Sequence, residues 1–197
     1  MKDPIALFSA EWLAEKFDMN VLVLIRHPAA FVSSIKTRNW SFDFSDFIEQ
    51  PLLLKNYLYP FEEELREYAS KDHDLIDQGA LLWKLMYYVV LQYQKRYTDW
   101  TFIRHEDLSR NPLQMFQELF SRLNLEFSKN VSDAINYYSN SENPRDVKSP
   151  TGEISLRRNS ELNISNWKYR LNSLEIERVR NQVEDISRAF YSDEDWV

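Results

Sequence analysis

Five consecutive aliphatic residues at positions 21–25 restrict the possible folds of this chain more than any other feature. Such a run predicts a short strand that is buried on both faces, as strands are inside a parallel sheet. Arg26 follows at once, Pro28 ends the strand, and residues 29–35 predict the first turns of a helix. Open α/β sheets bind ligands at the carboxyl ends of their strands, where Arg26 is predicted to lie. A guanidinium there, together with the Ser34 hydroxyl near a helix start, suits an oxyanion such as phosphate.

The composition is that of a globular chain. Because the chain is negatively charged overall, any anion site must be a local cluster of positive groups. With 197 residues, of which 44% are hydrophobic, the chain is long enough for one domain with a substantial core. A formal net charge of -7 opposes general binding to nucleic acid or to an anionic membrane surface. The two glycines, Gly79 and Gly152, lie too far apart to form a glycine-rich phosphate loop. The chain has no cysteine, which excludes disulfides and cysteine-ligated metal sites.

Hydrophobic periodicity predicts a single α/β domain, rich in helix, over residues 1–197. A second short strand is predicted at residues 101–104 and a long loop at residues 138–165. Helical patterns occupy residues 6–17, 47–70, 75–97, 112–123 and 171–190, and Asn172 or Ser173 is a plausible cap for the last of these. No apolar run approaches the roughly 20 residues of a membrane span, and we expect a cytoplasmic protein.

Five segments of the chain resemble the sulfotransferases that use 3′-phosphoadenosine 5′-phosphosulfate (PAPS). Arg26-x-Pro28 with Ser34 eight positions after the arginine is similar to the 3′-phosphate-binding motif of that family. The other four segments follow the family order and are Lys2-Asp3-Pro4, residues 101–108 with Pro112, Arg157-Arg158-x-Ser160 with Trp167, and Phe190-Tyr191 with Asp195-Trp196. The resemblance implies a P-loop NTPase-like sulfotransferase fold, in which a parallel sheet is flanked by helices.

The resemblance also implies roles for individual residues in binding the donor nucleotide. Arg26 and Ser34 would hold the 3′-phosphate, and the Arg157/Arg158 pair would close over the nucleotide, with Arg158 preferred because it lies nearer Trp167. His105 stands where the family usually has a tyrosine near the adenine, and an imidazole can still stack on a base. The alternatives are a solvated loop for the two arginines and a partly buried strand-end histidine for His105.

Lys2 and Asp3 are the catalytic candidates that the resemblance implies. Lys2 matches a lysine that contacts the departing phosphate, although a frayed terminal lysine is the plain alternative. Pro4 stands where many cytosolic members have a catalytic histidine, so Asp3 is the nearest carboxylate that could replace it as the base. The three histidines are too scattered to predict a metal site, and no metal is expected.

The family's 5′-phosphosulfate-binding strand-loop-helix belongs upstream of Lys2, so we expect the chain to be an N-terminally incomplete sulfotransferase domain. Without the upstream strands, the predicted strand at residues 21–25 would leave a bare sheet edge. We therefore expect marginal stability, little activity of this chain alone, and self-association through the exposed edge.

Three functions remain open on the sequence. The leading one is transfer of a sulfuryl group from PAPS to a hydroxyl or amine of a small-molecule, glycan or lipid acceptor, with no nucleic-acid partner. The alternative is a non-catalytic nucleotide-binding or interaction module of the same fold. A P-loop kinase relative is disfavoured because the chain has no Walker-type glycine-rich loop.

Overall fold

Two short parallel strands, β1 (Leu22–Ile25) and β2 (Thr101–Arg104), form a small sheet in the computed structural model, which describes residues 6–145 and 156–197. Leu22 pairs with Thr101, and Ile25 pairs with Arg104. Parallel strands need a long crossover connection, and here a series of helices supplies it. The chain is therefore helix-rich and α/β in the general sense, as expected.

The helices fall into three groups along the chain. Before β1 lie a 3₁₀ turn (Ala6–Ser9) and α1 (Ala10–Phe17). Between the strands lie α2 (Pro28–Arg38), α3 (Ser45–Ile48), α4 (Pro51–Leu53), a π turn (Leu54–Leu58), a 3₁₀ turn (Tyr59–Phe61), α5 (Glu62–Ser70) and α6 (Leu75–Arg96). After β2 lie α7 (His105–Arg110), α8 (Pro112–Arg122), α9 (Lys129–Ser139), α10 (Ser160–Ile164), α11 (Trp167–Arg170), α12 (Ser173–Ser187) and a 3₁₀ turn (Asp193–Trp196).

Helix α6 is the centre of the core, and α2 and α12 pack against it. Gly79 lies where α6 approaches α2, because a Cβ there would stand 3.3 Å from Cγ2 of Val32 and 3.4 Å from Cδ1 of Ile35. The missing side chain therefore lets the two helices pack closely. None of the helices in the described ranges is long and apolar enough to cross a membrane.

The prediction that the first strand is buried on both faces is wrong. Val23 and Ile25 belong to the core, whereas Leu22 and Leu24 remain 38% and 44% exposed. Successive side chains of a strand point to opposite faces, and the core packs against the face that carries Val23 and Ile25. The open face explains why an unbroken aliphatic run does not mean burial on both sides here.

The long loop predicted at residues 138–165 is shorter than expected. Helix α9 extends to Ser139, and α10 forms inside the predicted loop, where the side chain of Asn159 accepts a hydrogen bond from the Leu162 amide at 2.9 Å. Residues 146–155 lie outside the described part of the chain. The predicted closing helix is confirmed as α12, with Asn172 as its cap and a reciprocal bond from Glu175.

Candidate anion-binding site

The turn between β1 and α2 is held by hydrogen bonds with three residues of two other helices, α6 and α7. The Arg26 N–H donates to Oη of Tyr87 at 2.8 Å, and Nε1 of Trp83 donates to the Arg26 carbonyl at 2.8 Å. The His27 N–H donates to Oε1 of Glu106 at 3.0 Å. Each of these backbone groups is thereby satisfied, and Pro28 begins α2 directly afterwards. The turn therefore fixes the position of the backbone from which the Arg26 side chain extends.

The guanidinium of Arg26 has no anionic partner in the described residues. Its Nε–H group is buried and donates to no acceptor there, and no carboxylate forms an ion pair with it. Burial lowers the pKa of Arg26, an effect that the nearby Glu106 partly offsets, but an arginine stays protonated in proteins. Burying a charge without a partner is costly, so the arrangement is typical of a site that receives an anion.

Arg104, at the end of the neighbouring strand, shows the opposite arrangement. Its Nε and Nη2 donate to the two carboxylate oxygens of Asp107 at 2.9 and 2.8 Å, and Nη1 lies 3.3 Å from Oδ2 of Asp195. Its hydrogen bond to Asp107 raises the pKa of Arg104. The charge of Arg104 is therefore already paired with carboxylates of the fold itself.

His105 lies beside Arg26 at the carboxyl end of the sheet. The strand register pairs Ile25 with Arg104, the last residues of β1 and β2, and Arg26 and His105 directly follow them. Burial, reinforced by the charge of Arg26, lowers the pKa of His105. The imidazole is accordingly neutral near pH 7 and can contact an uncharged part of a ligand by stacking or hydrogen bonding.

Ser34 lies on α2, the helix that begins at the turn. Its hydroxyl donates to the carbonyl of Ala30 at 3.1 Å and keeps its lone pairs for another donor. The adjacent Ser33 bonds the same carbonyl at 3.0 Å but is buried, so Ser34 is the serine with access to solvent. The positive end of the α2 dipole points toward the same turn.

The structure joins the Arg157/Arg158 loop to α7 and α9. Nη2 of Arg157 donates to Oδ1 of Asn143 at 3.1 Å, and its guanidinium lies 4.5 Å from the centre of the Tyr137 ring. The Arg158 amide donates to the carbonyl of Tyr138 at 3.0 Å. Ser160 then donates to the carbonyl of Ser109 on α7 at 2.8 Å. The loop thus lies against the helix that begins at His105, and the described contacts of the Arg157 side chain are with Asn143 and Tyr137.

His27 is enclosed by aromatic rings from the C-terminal part of the chain. Trp167 stacks on it at 5.0 Å, and Tyr191 and Trp196 approach edge-on at 4.8 and 4.5 Å. Burial lowers the pKa of His27 to about 3, so the ring stays neutral. His27 and Trp167 are packing residues that hold the turn, and neither ring is open to a ligand.

Sequence reasoning missed Arg170, the last residue of α11. Its positive charge lowers the pKa of Arg26 further, which places a second cation near the site. Helix α11 is held against α2 by Lys36, whose Nζ donates to the Arg170 carbonyl at 3.3 Å and pairs with Glu175 at 2.6 Å. Arg170 belongs to no recognised motif, so the sequence around it does not indicate that it lies near Arg26.

Lys2 and Asp3, the predicted catalytic residues, lie outside the described residues. Within residues 6–145 and 156–197, no group of three or more His, Asp or Glu side chains could hold a metal ion. No protein-family model matches the chain, and neither the curated proteins nor the solved structures contain a significant match.

Proposed function

We propose that this chain is the 3′-phosphate-binding part of a PAPS-dependent sulfotransferase with a P-loop NTPase-like fold. The observation that carries the proposal is the guanidinium of Arg26, which is held at the carboxyl end of a parallel strand without an anionic partner among the described residues. A 3′-phosphate is a dianion with acceptor oxygens that suit this fork of donors. Ser34 on α2 and the positive charge of Arg170 support the same ligand.

The remaining parts of the donor nucleotide can be assigned to the surroundings of Arg26. The neutral ring of His105 suits the adenine, which needs stacking or a hydrogen bond and no charge. Arg158 belongs to the loop that lies along α7 and would cover the nucleotide. In this proposal Lys2 stabilises charge on the departing phosphate and Asp3 accepts the proton of the acceptor hydroxyl as the sulfuryl group transfers in line.

The experiment is isothermal titration of the chain with adenosine 3′,5′-bisphosphate, compared with adenosine 5′-monophosphate and ATP. We expect the bisphosphate to bind and the monophosphate, which lacks the 3′-phosphate, to bind at least tenfold more weakly, because a charged hydrogen bond contributes about 1.5–3 kcal/mol. Arg26→Ala should abolish the preference. Sulfuryl transfer from PAPS to a panel of phenol and sugar acceptors then separates an enzyme from a non-catalytic nucleotide-binding module.

Arg38→Ala is the matched control for Arg26→Ala. Arg38 ends α2, the helix that follows the turn, is exposed and lies over the ring of Trp40 at 4.7 Å, so its loss removes one positive charge without touching the turn. Equal binding of all three nucleotides, or equal effects of the two substitutions, would contradict the proposal. Preference for ATP would favour a kinase-like function instead.

A further inference from the structure

Glu106 is buried directly behind the anion-binding turn. Only 3% of its surface is exposed. Its Oε1 accepts the hydrogen bond from the His27 amide at 3.0 Å, and Oε2 accepts one from the hydroxyl of Tyr191 at 2.9 Å. Both oxygens act as acceptors, as they do in an ionised carboxylate. Glu106 thus connects the turn to the C-terminal segment.

Both hydrogen-bond donors to Glu106 are neutral, so they leave its charge uncancelled. The described residues place no cation within ion-pair distance of this carboxylate. Glu106 bonds the amide of the residue next to Arg26, and its charge raises the pKa of Arg26, while the charge of Arg170 lowers it. The carboxylate therefore acts on Arg26 through space and leaves the donors of the guanidinium available to a ligand.

We propose that Glu106 is a positioning residue whose carboxylate supplies the negative charge of this site when no anion is bound. Its charge thereby also lowers the affinity of Arg26 for an anion. The inference rests on the proposed function, because it requires Arg26 to bind the phosphate. In the empty site, Glu106 compensates part of the buried positive charge. When a phosphate dianion arrives, the fixed carboxylate repels it, and the observed affinity is what remains after that repulsion.

Glu106→Gln separates this role from a purely structural one. A glutamine has the same shape, so its Oε1 can accept from the His27 amide while its NH₂ group donates to Oη of Tyr191. Removing one negative charge in a partly dehydrated site should tighten phosphate binding by about tenfold. If Glu106 only braced the turn, the substitution would leave the affinity unchanged or lower it.

Tyr191→Phe gives a prediction of opposite sign. The phenylalanine keeps the ring beside His27 but removes the hydroxyl that donates to Glu106. The carboxylate then keeps its charge with one donor fewer, so its field at Arg26 grows and anion binding should weaken by about threefold. This variant tests the inference even if Glu106→Gln fails to fold.

The measurement is titration of wild type and both variants with adenosine 3′,5′-bisphosphate and with inorganic phosphate, after circular dichroism has checked folding. Glu118→Gln on α8, whose carboxylate bonds the exposed Gln114, controls for the change in net charge. Tighter binding by Glu106→Gln with weaker binding by Tyr191→Phe supports the inference. Unchanged or weaker binding by folded Glu106→Gln, or tighter binding by Tyr191→Phe, overturns it while the bisphosphate still binds wild type. If wild type does not bind the bisphosphate, the proposed function itself fails.

Discussion

Two arginines stand at the carboxyl ends of the paired strands, and their surroundings differ in charge. Arg104 is bonded to Asp107 and Asp195, whereas the charged groups that influence Arg26 in the described residues are the more distant Glu106 carboxylate and the Arg170 cation. The difference matters for ligand binding, because an arginine already paired with carboxylates has few donors left for a ligand. At the scale of single residues, the site is thus defined by the lack of an ion-pair partner for Arg26 among the described residues.

His27 should make the stability of this protein fall between pH 7 and pH 5. Burial lowers its pKa from the ordinary value of 6.5 to about 3, so in this range the unfolded chain binds a proton that the folded chain does not. The contribution of the neutral His27 ring to the free energy of unfolding is fully present above pH 6.5. It is lost as the pH falls, by at most about 1.4 kcal/mol per pH unit. Urea unfolding at pH 7 and pH 5 measures the change.

His27→Phe keeps an aromatic ring between Trp167 and Trp196 and removes the titration. The loss of stability between pH 7 and pH 5 should then shrink by up to about 2 kcal/mol, leaving the smaller part due to His105 and other groups. An identical pH slope in wild type and His27→Phe would contradict this account of the buried ring.

At the scale of elements, local sequence signals predicted both strands and the helices α1, α2, α6, α8 and α12, whereas residues 47–70 form several short elements and not one helix. The long α6 follows from its hydrophobic periodicity, and α12 was expected with Asn172 or Ser173 as its cap. The burial of the first strand was not predictable in this way, because an aliphatic run does not reveal how many faces of a strand are covered. Helices α7, α10 and α11 were missed because six residues or fewer are too few to show periodicity, and the eleven-residue α9 was missed as well.

Helix α6 should stabilise the turn between β1 and α2 through the hydroxyl of Tyr87. Tyr87→Phe leaves the buried amide of Arg26 without its acceptor, which costs about 1–3 kcal/mol in the free energy of unfolding. Affinity for adenosine 3′,5′-bisphosphate should fall as well, because the turn that aims Arg26 is loosened. Urea unfolding and titration measure the two effects.

Tyr88→Phe on the same helix is the control for Tyr87→Phe. The ring of Tyr88 packs edge-on against Phe61 at 4.9 Å, and a phenylalanine preserves that contact. Equal losses of stability in the two variants would show that the hydrogen bond to the turn contributes nothing.

At the scale of the whole molecule, the sheet is the weakest part of the architecture. Two strands of four residues each leave a face on which Leu22 and Leu24 are exposed, in the part of the chain that the structure describes. Small sheets with open edges pair readily with other strands. The net charge of -7 opposes contact between copies, so ionic strength should control their association.

We expect sedimentation velocity to show self-association that increases with protein concentration and with salt. Leu24→Lys should reduce it, because a charge on the open face of β1 disfavours pairing. Leu52→Lys is the control, since Leu52 is 71% exposed on α4, away from the sheet. A wild type that stays monomeric at high salt, or equal association of the two variants, would contradict this expectation.

The sequence by itself determined the strand-turn-helix that presents Arg26, because aliphatic runs, proline positions and helix caps act over a few residues. Only the tertiary structure decided which groups surround that arginine. Tyr87 lies 61 positions from Arg26 in the chain, Glu106 lies 79 from His27, and Tyr191 lies 85 from Glu106. Contacts over such separations depend on how α6, α7 and the C-terminal segment pack together, and no local pattern encodes that packing.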